Sequence, residues 1–232
     1  MPSKLVIDKF HFKSDSVFQG LPKGELSFLK SKMVERKYKK GQRIFVESSI
    51  PIGIYYLKNG KIKKYKADRD GKEQIIYIFN SGELLGYPAL LSEEPYTDSA
   101  AALEDSVVTF IPKEDFLKVL SESAVLSNRL LKNLSHEFGV LVNNIATFAH
   151  RTVRERVALS LLILKEKYRL KANEAKPEIN LSREDLSNMV GTAVETLVRL
   201  LHDFKDEGLI ETEGRKIRIL DAKRLAKVAN FY

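Results

Sequence analysis

Residues 181–210 read LSREDLSNMVGTAVETLVRLLHDFKDEGLI, and no other stretch of this 232-residue chain restricts its fold as tightly. Ser182 followed by Asp185 is close to a capping box. The hydroxyl can accept from a first-turn N–H, and an acid three residues on faces the positive helix end. Leu186, Met189 and Val190 mark one apolar face, and Gly191 stands where a tight turn needs a positive φ. Leu197, Leu200, Leu201 and Phe204 follow at i, i+3, i+4, i+7, the apolar stripe of a second helix. The opposite face of that helix carries Glu195, Val198, Arg199 and His202, which a helix serving only to fill a core does not need. Such a face fits a major groove, with Arg199 aimed at guanine N7/O6 and Glu195 at a cytosine amino group.

An ordinary helical hairpin with a solvated charged face would show much of this pattern. The residues that follow separate the two readings. After Glu207-Gly208, LIETEGRKIRIL (residues 209–220) alternates apolar and polar residues around a Glu213-Gly214 turn, which predicts a short β-hairpin, the wing of a winged helix. Arg215, Lys216 and Arg218 on the wing, with Ser182 and Arg183 at the start of the first helix, are the expected phosphate contacts. The predicted partner is double-stranded DNA.

Charge permits this without locating it. The net charge is +8, and residues 151–232 account for +4 of it, from 17 Lys/Arg against 13 Asp/Glu. The absence of cysteine excludes disulfides, thiolate metal sites, iron–sulfur clusters and thiol redox sensing. No apolar run approaches the ~20 residues that span a bilayer, and MPSKLVIDKFHFK lacks the apolar core of a signal peptide. A cytoplasmic protein with no membrane partner is expected. The four histidines, His11, His136, His150 and His202, are scattered without ligand spacing, so no metal and no cofactor is expected. No Gly-rich phosphate loop, nucleophile–histidine pair or paired acids point to an enzyme.

Upstream, an α+β organisation in three parts is predicted. Residues 1–121 hold a β-rich domain with flanking helices. Its turn signals, Lys40-Gly41, Asn59-Gly60, Asp70-Gly71 and Ser81-Gly82, separate short runs such as 61–69, 75–79 and 107–111, as in an antiparallel barrel or roll. Residues 122–150 read as one long helix in which Leu134, Phe138, Leu141, Ile145 and Phe148 step by 4, 3, 4, 3, extended backwards by Leu130 and Leu126. A seam about 40 Å long asks for a partner helix, most simply a second copy in a homodimer. Residues 151–232 form the DNA module, opening with a helix over 153–168 in which Val157, Leu161 and Leu164 align, followed by a loop over 171–178.

A glycine-punctuated β-roll, a long dimer helix and a C-terminal winged helix-turn-helix, in that order, resemble the cyclic-AMP-receptor/FNR family of bacterial transcription regulators. GELLGYPALLSEEPYTDSAAALED (residues 82–105) is similar to that family's phosphate-binding cassette, with Gly82, Gly86, Pro95 and the ending Ala102-Leu103-Glu104-Asp105 in register. The family's Glu-x-x-x-Arg recognition pair falls on Glu195 and Arg199. Its third base-contact position is Val194, which can touch a thymine methyl but cannot hydrogen-bond a base. The resemblance implies a dimeric regulator that works with RNA polymerase.

It also implies a ligand pocket at Gly82, Glu83, Leu84, Gly86, Tyr87, Tyr96, Thr97 and Asp98, with Leu141 and Val142 from the long helix. The chain departs from the family where the chemistry lies. Tyr87 stands at the ribose carboxylate position and Tyr96 at the phosphate arginine, while Asp98 adds negative charge and Leu141 and Val142 are apolar. Losing the arginine contact alone removes roughly 1.5–3 kcal/mol, about 10- to 150-fold in affinity. Cyclic AMP is therefore not the expected effector. Two readings of the pocket stay open: a vestigial roll serving as scaffold, or a site for a less anionic or aromatic small molecule with both tyrosines at its mouth. The competing function is a ligand-binding regulatory module whose C-terminal helices dock protein instead of DNA.

Overall fold

A computed structural model of the chain describes residues 8–12, 17–169 and 177–231; of the expected loop over 171–178, residues 171–176 lie outside the described residues. The class is α+β, as expected. Helix α1 (Lys23–Lys32) is followed by strands β1 (Val34–Tyr38), β2 (Arg43–Phe45), β3 (Gly53–Asn59), β4 (Lys61–Ala67), β5 (Glu73–Asn80) and β6 (Leu84–Leu85). Next come helix α2 (Tyr87–Ser92), strands β7 (Ser99–Ala102) and β8 (Ser106–Pro112), and helices α3 (Lys113–Glu122), α4 (Ala124–His150) and α5 (Val153–Lys167). The last part is strand β9 (Glu178–Asn180), helices α6 (Arg183–Val190) and α7 (Val194–Asp206), strands β10 (Ile210–Glu213) and β11 (Lys216–Ile219), and helix α8 (Ala222–Val228). Two compact units result: residues 12, 17–68 and 76–138 in one, residues 8–11, 69–75, 139–169 and 177–231 in the other.

The first unit is the expected roll. Two four-stranded sheets have the orders β1-β8-β3-β6 and β2-β7-β4-β5. The β3–β8 pair runs antiparallel and sets Tyr55 opposite Phe110. Asn59-Gly60 joins β3 to β4 by a tight turn but not as the expected hairpin, because the two strands belong to different sheets and pair with other strands. Gly60 has φ +100°, and a Cβ there would lie 2.2 Å from Ser106 Oγ, so neither the turn nor the packing admits a side chain. Behind the sheets, Leu29 of α1, Tyr87 and Leu90 of α2 and Phe116 of α3 close one apolar cluster with Leu126 and Leu130 of α4. Each such side chain taken out of water contributes about 1.5–3 kcal/mol.

Leu126 and Leu130 do not continue the outer seam, as the sequence reading expected. They begin an inner row (Leu126, Leu130, Asn133, Glu137, Val140) whose members are all buried. The steps are again 4, 3, 4, 3, the spacing of one helical face. The other face leaves Leu131, Phe138, Val142, Ile145 and Phe148 exposed, Phe138 at 70% and Ile145 at 69%.

The second unit holds the winged helix. Thr152 and Glu155 form a reciprocal capping box that starts α5, and Val157, Leu161 and Leu164 are fully buried along it. Ser182 Oγ accepts from the Asp185 N–H at 2.9 Å and starts α6, which ends at Gly191 in the left-handed conformation. Leu197, Leu201 and Phe204 bury the inner face of α7. In the wing, Glu213 pairs with Lys216, so the turn falls on Gly214-Arg215, one residue later than expected. Two elements go beyond the sequence reading. Strand β9 adds a third strand beside β11, with Ile179 opposite Ile217, and Asp221 caps α8, whose Leu225 is fully buried.

Candidate nucleic-acid interface and effector cavity

The exposed face of α7 carries the five residues expected to meet bases: Val194, Glu195, Val198, Arg199 and His202. Among the described residues Glu195 and Arg199 take part in no ion pair, so both can present their full hydrogen-bonding capacity outward. His202 Nδ1 lies 2.9 Å from Asp206 one turn later, which orients the ring along the helix. The turn ahead of α7 is held by a residue that the sequence reading missed. Arg156 of α5 donates from Nε to Val190 O at 3.0 Å and from Nη2 to Gly191 O at 3.1 Å, satisfying the last carbonyls of α6. An arginine whose hydrogen bonds go to main-chain carbonyls leaves no signature in sequence.

The five expected phosphate contacts differ in how free they are. The Ser182 hydroxyl caps α6 and donates to Asp185 Oδ2 at 2.5 Å. Arg183 reaches the wing tip, donating to Gly214 O at 2.8 Å and Arg215 O at 3.3 Å. Arg215 is exposed at that tip. Lys216 lies 2.9 Å from Glu178, and Arg218 is paired with both Glu178 at 2.7 Å and Glu211 at 3.1 Å. The hold of Glu178 on both cations comes from the β9–β11 register, which places Arg218 opposite Glu178.

Of the expected pocket residues, the roll brings together Leu84, Gly86, Tyr87, Tyr96, Thr97 and Asp98, joined by Phe45, Lys64 and Glu137. Gly82, Glu83, Leu141 and Val142 do not line this cavity. Tyr87 and Tyr96 do not stand at a mouth. They are 1% and 5% exposed and fill the interior. Tyr96 stacks on Phe45 with ring centres 4.0 Å apart, and its hydroxyl passes 3.2 Å from where a Cβ on Gly86 would stand. That close approach, with φ +81° at Gly86, is why glycine opens α2. The space left over is about 30 Å³, room for a water and no more.

The polar groups around that space are already matched. Lys64 Nζ lies 3.0 Å from Asp98, with both side chains largely buried. The Tyr87 hydroxyl donates to Glu137 Oε1 at 2.5 Å. Burial pushes the Glu137 carboxyl up from 4.5 to about 7, with the negative charges of Glu83 and Asp98 adding to the rise; the Tyr87 hydrogen bond and Lys64 oppose it. An entering phosphate would meet two carboxylates, and Lys64, the cation among the described residues that line the space, is committed to Asp98. The geometry does not suit an anionic ligand.

A β-roll with a glycine-turned cassette in one unit and a winged helix-turn-helix in the other define a DNA-binding regulator of the effector-domain type. Comparison with known proteins agrees. Residues 35–123 match the cyclic nucleotide-binding domain family and residues 155–228 the Crp-like helix-turn-helix domain family. The chain is 30% identical over 196 residues to the transcriptional activator protein Anr of Pseudomonas aeruginosa, covering 84% of this chain and 80% of that one. It is 25% identical over 217 residues to the cyclic AMP receptor protein of Thermus thermophilus, covering 94% and 98%. The fold is shared with FixK2 from Bradyrhizobium japonicum at a TM-score of 0.76 and 22% identity, over 84% of this chain and 96% of that one. The chain belongs to the Crp/Fnr family of transcription regulators. Among its described residues no helix is long and apolar enough to cross a membrane, and no cluster of His, Cys, Asp or Glu is placed to hold a metal ion.

Glu137 makes stability depend on pH in a defined direction. Its folded-state pKa lies above the unfolded value, so its contribution is complete below about pH 4.5 and is lost as pH rises through about 7. Glu137→Gln keeps an acceptor for Tyr87 and removes the titration. Denaturant unfolding across this range is expected to show the wild type losing on the order of 2–3 kcal/mol relative to Glu137→Gln. Parallel pH profiles for the two proteins would contradict the assignment.

Proposed function

We propose that the chain acts in the cytoplasm as a homodimer on a two-fold DNA operator, reads bases with α7 and does not respond to cyclic AMP. The observation that carries the reading is the face of α7, where Glu195 and Arg199 stand exposed in a winged-helix frame and without an ion pair among the described residues. Arg199 is assigned to a guanine, Glu195 to a cytosine amino group, Val194 and Val198 to thymine methyls, and His202 to the edge of the site. Arg215 and Arg183 supply the wing-side phosphate contacts, and RNA polymerase is the further protein partner. Arg199→Ala is expected to weaken operator binding by about 1–3 kcal/mol and to relax preference at one base pair. Operator selection from random duplexes followed by titration measures both quantities, and unchanged base discrimination would remove the assignment.

The uncovered stripe of Leu131, Phe138, Val142 and Ile145 on α4 supports the dimer, since an apolar row of this kind marks a protein contact. One winged helix per chain then places two recognition helices about one helical turn of DNA, ~34 Å, or a multiple of it, apart. Ile145→Asp is expected to give a monomer at micromolar concentration in sedimentation and to lose operator affinity. A dimer of wild-type stability in that variant would place the contact elsewhere.

The filled roll supports independence from cyclic AMP, since a space of about 30 Å³ falls well short of the ~300 Å³ at the low end of ligand pockets. A nucleotide without differential affinity for two states shifts neither. Calorimetry with cyclic AMP is expected to show no binding at physiological concentration and unchanged operator affinity. A micromolar isotherm with tighter operator binding would overturn this part of the reading.

A further inference from the structure

We propose that Glu178 is an attenuator of the DNA interface: by holding Lys216 and Arg218 it keeps the wing from gripping phosphates, and so lowers the sequence-independent share of binding to which α7 adds recognition. The inference rests on the reading above in which the wing lies along the DNA backbone. Its basis is the charge arrangement of the β9–β11–β10 sheet. Glu178 Oε1 lies 2.9 Å from Lys216 Nζ, and Oε2 accepts from Arg218 Nη2 at 2.7 Å and Nε at 3.2 Å. The remaining Arg218 nitrogen donates to Glu211 Oε1 at 3.1 Å across the hairpin. Arg218 is therefore flanked by a carboxylate on each neighbouring strand, with Glu178 and Glu211 both in register with it. Over residues 178–180 and 210–219, Glu178, Glu211 and Glu213 cancel Arg215, Lys216 and Arg218, so the wing sheet is neutral.

These pairs do little for folding. The Lys216 and Arg218 side chains are roughly half exposed, and screening by water leaves surface pairs of that kind little effect on folding. Their consequence lies in binding. Affinity for random DNA comes almost wholly from cations that displace counterions from phosphate, each contributing about 0.9 to the slope of log K against log salt. A lysine or arginine already neutralised by Glu178 displaces no net counterion. Base contacts made by α7 do not pass through this cluster. A phosphate contact adds to random and operator binding alike, so holding these cations lowers affinity for every sequence and leaves the operator-to-random ratio to α7.

The test compares Glu178→Gln, which keeps the shape, frees Lys216 and leaves Arg218 held by Glu211 alone, with Glu213→Gln, which removes the same charge from the same sheet. Glu213 holds no cation among the described residues. Each full-length variant is titrated with a random-sequence duplex and with the selected operator between about 50 and 200 mM salt. For Glu178→Gln on random duplex, the salt slope is expected to steepen by about one to two units, a further loss of up to about tenfold over that range. The same steepening is expected on the operator, with the operator-to-random ratio unchanged within about twofold. Glu213→Gln is expected to move the slope by less than about half a unit, and adding Lys216→Ala and Arg218→Ala to Glu178→Gln is expected to restore the wild-type slope. Equal steepening in Glu178→Gln and Glu213→Gln would overturn this proposal alone, since it would reduce the effect to net charge. Slopes unchanged in every variant would mean that the wing never meets the backbone, which overturns the underlying reading as well.

Discussion

The rotation of α4 about its own axis is the constraint on which the other features turn. Its inner row packs Leu126 and Leu130 into the apolar cluster of the roll and takes Asn133 and Glu137 below the surface with them. Once these four are seated, the helical period leaves no freedom for the remainder. Phe138, one residue and about 100° from Glu137, must then point away from the roll, and it does. The uncovered apolar stripe and the contact between Glu137 and Tyr87 are two results of the same packing.

That packing also explains why this roll can hold a carboxylate where its neighbours are tyrosines. A buried acid needs a donor, and Tyr87 supplies one from the start of α2. Tyr96 contributes bulk: its ring occupies the volume beside Phe45, and its raised hydroxyl pKa, caused by burial, keeps it a neutral filler. A left-handed Gly86 leads into a short helix, and the polar groups beside it are satisfied internally, Lys64 by Asp98 and Tyr87 by Glu137.

Much of this was legible in the sequence. Local signals sufficed for the helix-turn-helix, the wing, the turn at Asn59-Gly60 and the hairpin at Asp70-Gly71, because capping and turn chemistry act over a few residues; which sheet each strand joins, as at Asn59-Gly60, does not follow from them. The rest depends on pairing across long separations. Strand β9 has only three residues and no pattern of its own, so neither it nor the Glu178–Arg218 contact could be read before the register with β11 was known. Leu126 and Leu130 fit two heptad rows equally well, and only the neighbouring core decides between them. Tyr87 and Tyr96 were identified as departures from the family, but a rotamer that fills a cavity and one that lines its mouth have the same sequence. The family itself was legible from element order and the cassette, and the matches at residues 35–123 and 155–228 agree.

The neutral wing has a consequence in time as well as in affinity. A regulator finds its site by repeated encounters with unrelated DNA, sliding while it is held and hopping when it lets go. Each phosphate contact removed from the non-specific complex shortens its dwell there. A wing whose lysine and arginine are bound to a glutamate on the adjacent strand favours brief visits and frequent relocation, with the long residence reserved for a sequence that α7 can read. On the proposed reading, a three-residue strand at the edge of a small sheet sets how long each visit to unrelated DNA lasts.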